Sequence, residues 1–123
     1  MQHRTRIVVF EPDLLFSSKI EGIAARLGFA VTVMTDWDGL LSKLGERIPP
    51  VLVVNLGALD KKIVDLKRFV SGKPCTTLGY YSHVNVQLAE EARKVGFDLV
   101  LPRGAFVARM EETLRKISMG GES

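Results

Sequence analysis

The chain has 123 residues, the length of one domain, and a chain of this size buries about two-thirds of its unfolded surface without help from disulfides or a metal. With 46% hydrophobic and 25% charged residues it is excluded from the disordered and low-complexity classes, and no apolar run reaches the ~20 residues of a membrane span. The net charge of +3 comes from 17 basic and 14 acidic residues interleaved on the same segments, which describes a solvated mixed surface and argues against nucleic-acid binding.

The first apolar run, Ile7-Val8-Val9-Phe10, is continuous and β-branched, which predicts a strand covered on both faces. Asp13 then offers an N-cap for a helix over 14–27, with Leu15 or Phe16, Ile20, Ile23, Ala24 and Leu27 as the buried stripe and Gly28 as the stop. Residues 29–34 predict a second strand. Thr35 or Asp36 opens a second helix carrying Trp37, Leu40, Leu41 and Leu44. Pro49-Pro50 bars continuation and leads into a third strand, Val51-Leu52-Val53-Val54. After a loop containing Gly57, Asp60 is the expected cap of a third helix that turns Ile63, Leu66, Phe69 and Val70 inward. A fourth strand over 76–81, a fourth helix over 86–95 ending at Gly96, a short strand over 99–101 and a last helix over 106–117 complete the series; 119–123 are expected to fray. Five β–α alternations with short connections predict one α/β domain over 1–123, with an ordered core at about 5–118. Its expected form is a five-stranded parallel, doubly wound, flavodoxin-like sheet flanked by five helices.

In such a sheet a ligand binds beyond the carboxyl ends of the strands. Those ends fall at Glu11-Pro12-Asp13, at Asn55, between Gly79 and Ser82, and at Pro102-Arg103. The order of elements and three motifs resemble the response-regulator receiver family over nearly the whole chain. Ile7 to Asp13 is similar to the family's opening strand with its acidic cluster. Val51-Leu52-Val53-Val54-Asn55 is similar to the strand that ends in the phosphoacceptor aspartate. Ala92-Arg93-Lys94-Val95-Gly96-Phe97-Asp98 is similar to the end of the family's fourth helix.

A working receiver needs carboxylates for a hard divalent cation, an aspartate nucleophile, and a hydroxyl and a lysine that stabilise the phosphorylated form. On this resemblance Glu11 matches the first metal carboxylate, but Pro12 stands at the second, leaving Asp13 one place late. Asn55 stands at the nucleophile, and an amide cannot form an acyl phosphate. Counting from Pro74, the hydroxyl position is Gly79, with Ser82 as a distant substitute. Arg103 replaces the lysine, Gly104 the proline after it, and Leu99 or Val100 the aromatic switch. Glu11, Asp13, Asn55, Gly79 and Arg103 therefore mark a vestigial phosphorylation pocket, without a metal or cofactor requirement and without a catalytic residue.

The expected function is an atypical receiver-like signalling module, not an enzyme, acting through phosphorylation-independent protein contacts with a kinase, an output protein or a second copy. The resemblance places such contacts on the fourth helix, fifth strand and fifth helix, here Gln87, Glu90, Glu91, Arg93, Lys94, Arg109, Glu112 and Lys116. The alternative is a small-anion or metabolite sensor in which Asn55, His83 and Arg103 hold the ligand. His3 and His83 lack partners at zinc spacing, and no phosphate-loop glycine pattern is present. Cys75, the sole cysteine, reads as a small buried hydrophobe, and Trp37, Phe69 and Phe106 as core or groove anchors. The lone cysteine and the absence of a leader-like apolar core point to the cytoplasm.

Overall fold

A computed structural model describes residues 4–120. Five strands, β1 (Arg6–Phe10), β2 (Ala30–Met34), β3 (Val51–Asn55), β4 (Thr76–Tyr81) and β5 (Leu99–Pro102), form one parallel sheet in the order β2-β1-β3-β4-β5. The helices are α1 (Leu14–Arg26), α2 (Trp37–Glu46), α3 (Leu56–Leu59), α4 (Ile63–Val70), α5 (Val86–Lys94) and α6 (Arg103–Gly120). A 3-10 turn, Asp60–Lys62, joins α3 to α4, so five helical segments flank the five strands. The chain thus has the flavodoxin-like, doubly wound fold that its alternating runs predict. No helix among the described residues is long and apolar enough to cross a membrane.

Strand alternation divides the core in two. Ile7, Val9, Val51, Val53, Leu78 and Tyr80 face α1 and α6, meeting Ile20, Ile23, Ala24, Phe106, Met110 and Leu114. Val8, Phe10, Leu52, Val54 and Val100 face the other way, onto Leu40, Leu44, Leu56, Leu59, Ile63, Leu66, Ala89 and Ala92. The chain steps from β1 outward to β2 and then back across to β3. Right-handed crossovers in opposite directions put α1 and α2 on opposite faces and open a crevice between the carboxyl ends of β1 and β3. The parallel strands are apolar throughout because both faces are covered.

Several expected boundaries hold for the expected reasons. The Asp13 side chain accepts from the amides of Leu15 (2.9 Å) and Phe16 (3.5 Å), and Asp36 caps α2 through the amide of Gly39 (2.7 Å). Gly28 and Gly96 take φ values of 93° and 97° just past α1 and α5, which side chains resist. Asp98, at the end of the third family-like motif, accepts from the amide (2.7 Å) and hydroxyl (3.1 Å) of Thr77, pinning the turn before β5 to β4.

Four expectations are corrected. Asp60 does not cap the third helical segment: it sits at φ 53° in the bend after α3, and the cap is Asn55, whose oxygen accepts from the amides of Gly57 (3.0 Å) and Ala58 (3.3 Å). The helix therefore starts directly after β3, and Gly57 lies in it, not in a loop. Of the two candidates Leu15 and Phe16 it is Phe16 that packs inward, whereas Phe69, expected to face inward, points outward at the end of its short helix, 42% exposed. The last helix starts at Arg103, directly after β5, and runs through Met119 to Gly120, where the sequence predicts fraying. His3 and residues 121–123 lie outside the described residues.

Candidate functional site at the carboxyl ends of the strands

The crevice is an open cavity of about 380 Å³ lined by Glu11, Pro12, Asp13, Asn55, Gly57, Ala58, Tyr80, Ser82, Asn85 and Arg103. Its centre is Glu11, which is 1% exposed and the only carboxylate among the buried residues described. A buried carboxylate is tolerable only when its oxygens are well supplied with donors. The Asn55 amide Nδ2 donates to Oε1 at 3.0 Å and to Oε2 at 3.1 Å. The amide of Asp13 donates to Oε2 at 3.0 Å, and the Tyr80 hydroxyl donates to Oε1.

Asn55 is committed at both ends. Its Nδ2 serves Glu11, while its Oδ1 caps α3. An aspartate could keep the cap but would set a second carboxylate about 3 Å from the first, a pair that must take up a proton or a cation. The amide thus does for Glu11 what a cation does between two carboxylates. Glu11 has donors on both oxygens, and among the described residues no three His, Cys, Asp or Glu side chains cluster in a way that could hold a metal ion.

Tyr80 enters from the face of α1 and α6. Its ring makes an edge contact with Phe16 at 5.1 Å and a tilted one with Phe106 at 4.8 Å, so only the hydroxyl reaches the cavity. Burial, followed by the hydrogen bond to Glu11 and that group's charge, drives the phenol pKa far above its ordinary value. The hydroxyl therefore remains a donor.

The remaining sequence-selected residues are less tightly held. Arg103 and Asp13 are half exposed and pair at 3.6 Å, and the guanidinium lies 3.9 Å from the centre of the Phe16 ring. Ser82 reaches the cavity, its oxygen accepting from Asn85 at 3.2 Å. Gly79 lies in the sheet interior and does not line the cavity; a methyl group there would meet Leu56 at 3.0 Å. His83 is exposed in the β4–α5 connection and also lies outside the lining. Leu99 and Val100 point to opposite faces, with Val100 in the core under α5. Gln87, Glu90, Lys94, Arg109 and Glu112 are exposed on α5 and α6 and Glu91 is half-buried, with Arg109 and Glu112 paired at 3.3 Å.

Sequence reasoning misses Tyr80 and Asn85. The signal for Tyr80 is its register: β3 and β4 pair Asn55 with Tyr80, so both stand at the same level of the sheet. On the family resemblance Pro12 only stands where the second metal carboxylate is usual, but it walls the cavity.

The architecture is that of receiver domains. A response regulator from Thermotoga maritima superimposes with a TM-score of 0.78 at 12% identity, covering 95% of this chain and 99% of that one. A CheY-like receiver domain from Methylobacillus flagellatus gives 0.76 at 18% identity, covering 94% and 99%. A response regulator from Burkholderia pseudomallei, whose structure holds a phosphorylated aspartic acid, a calcium ion and citrate, gives 0.76 at 18% identity, covering 96% and 71%. No family model matches the sequence, and no curated protein matches it. At these identities the likeness is one of fold.

Proposed function

We propose that this chain is a receiver-like signalling module that works by protein contacts and without phosphorylation. The observation that carries the reading is the double commitment of Asn55, whose amide nitrogen donates to Glu11 and whose oxygen caps α3. A receiver's chemistry needs a free carboxylate at this place and a divalent cation beside it; here an uncharged amide that cannot attack phosphorus stands in place of the carboxylate and donates to the neighbouring Glu11. The reading assigns no catalytic step to the chain.

The contact surface is taken to be α5, β5 and α6, where β5 closes the sheet as an edge strand. Arg93 supports that edge by donating to the carbonyl of Val100 at 3.2 Å, its guanidinium 5.9 Å from the Tyr81 ring. Gln87, Glu90, Lys94, Arg109 and Glu112 supply a polar rim of both signs, suited to a kinase, an output protein or a second copy of the chain. Incubation with acetyl phosphate and magnesium, followed by intact mass, tests the premise. The expected mass is unchanged, and a stable gain of one phosphoryl group would overturn the reading.

A further inference from the structure

The opposite end of the sheet holds a second cavity of about 300 Å³, lined by Arg4, Thr5, Arg6, Arg47, Ile48, Pro50 and Pro74. Three strand entrances converge there. Arg4 and Thr5 lead into β1, which opens at Arg6; Pro50 precedes β3 and Pro74 precedes β4, while Arg47 caps the carboxyl end of α2. Three arginines line this cavity, and among the described residues no acidic residue does. The adjacent acid in sequence, Glu46, is paired with Lys43 at 3.5 Å, and none of the three arginines has an ion-pair partner among the described residues.

Arg6 carries the decisive detail. Strand alternation sends it to the face of Val8 and Phe10, under α2, and its Nη1 is buried with no hydrogen-bond partner among the described residues. A guanidinium partly removed from water without an acceptor is costly, and an anion in the adjoining cavity lowers that cost through its charge. Guanidinium forks match the paired oxygens of a phosphate, and three of them favour an anion with two charges over one with a single charge.

The geometry points to a phosphate-binding site formed by Arg4, Arg6 and Arg47 at the amino-terminal edge of the sheet. It takes a small phosphate-bearing ligand, either free phosphate or a phosphate ester. It is separate from the Glu11 crevice, which lies at the carboxyl edge, and stands whatever that crevice does.

Titration calorimetry on the full chain, at an ionic strength fixed with chloride, tests the assignment with three probes: inorganic phosphate, a nucleoside 5′-monophosphate and citrate. Saturable binding of a phosphate-bearing probe is expected, weakened at least tenfold by Arg6→Gln and several-fold by Arg47→Gln. Lys19→Gln, which removes an exposed cation of α1 outside both cavities, should bind as the wild type does. Equal affinity for both phosphate probes assigns the site to the free ion, and tighter binding of the nucleotide assigns it to an ester. No saturable binding of either phosphate probe, or binding of citrate alone, overturns the proposal. So does binding that survives both arginine substitutions. If Arg6→Gln does not fold, the exposed Arg47→Gln decides by the same criterion.

Discussion

Replacing Asn55 by aspartate changes one NH2 group to oxygen and leaves the shape of the crevice alone. In Asn55→Asp the atom facing Glu11 at 3.0 and 3.1 Å changes from donor to acceptor. Two full charges at that spacing, in a medium of effective dielectric about 20, repel by about 5 kcal/mol. The pair escapes by taking up a proton. Holding a carboxyl of ordinary pKa near 4 protonated near pH 7 costs about 4 kcal/mol, which caps the penalty. A hydrogen bond between the two carboxyls returns about 1–2 kcal/mol, so the expected loss is about 2–3 kcal/mol. The coupled pair has a folded pKa above its unfolded value. Its stability is thus fully present below about pH 4 and is lost as the pH rises through the folded pKa. Urea unfolding of variant and wild type near pH 7.5 and near pH 5 reads this directly. The gap between the two midpoints should shrink on acidification, and millimolar magnesium should raise the midpoint of the variant alone. Equal stability near pH 7.5, or a loss that does not shrink in acid, would refute the account of Asn55 as a neutral stand-in for a cation.

Three further residues, Tyr80, Gly79 and Cys75, test the packing at that centre and elsewhere along the sheet. Tyr80→Phe removes a donor to a buried carboxylate and should cost about 1.5–3 kcal/mol in urea unfolding. Because the Tyr80 pKa is raised in the fold, the stability that hydroxyl confers is present below about pH 10 and lost above it, and one of the two tyrosines should resist ultraviolet titration until the chain unfolds. Gly79→Ala should cost about 1–3 kcal/mol, because the new methyl meets Leu56 at 3.0 Å; a neutral change in melting temperature would show that Leu56 repacks freely. Burial, opposed by Lys67 and assisted by Asp98, pushes the Cys75 thiol from 9.0 up to about 11. Alkylation by iodoacetamide should be slow near neutral pH and accelerate towards that value, and rapid modification near pH 7 would contradict its environment.

The sheet and its two covered faces are legible because parallel strands write themselves as unbroken apolar runs, and because Asp13, Asp36, Gly28 and Gly96 punctuate the helices locally. The position of Asn55 is legible for the same reason, as the residue that ends β3. Its partners are not. Which side chain answers Glu11 depends on the β3–β4 register and on Phe16 and Phe106 closing over the Tyr80 ring, contacts far apart along the chain. Counting from Pro74 selects Gly79, whose side of the strand faces Leu56, whereas its neighbour Tyr80 faces the opposite layer and reaches the crevice. The expectation that Asp60 caps the helix fails on a related point: a second good capping residue, Asn55, stands in the same segment, and the strand end decides which meets free amides. Phe69 shows the limit of periodicity, since a helix of only eight residues cannot bury both Phe69 and Val70 against one sheet.

The closed network around Glu11 has a consequence for how such a module could be regulated. A conformational equilibrium moves only if something binds its two states with different free energies. In a phosphorylated receiver that difference enters as charge and metal at the carboxyl ends of β1 and β3. Here every polar group at that centre is already matched by a donor or acceptor from the chain itself, and the Tyr80 proton is held too firmly to be released under ordinary conditions. Val100, one of the two residues at the family's aromatic switch position, is packed in the core under α5. On the proposed reading the free-energy difference comes from binding at a surface, and its size then follows partner concentration through mass action. The proposed module would report which partner is present and how much of it, and mutations at the α5–β5–α6 rim should then alter partner affinity while leaving the Glu11 network intact.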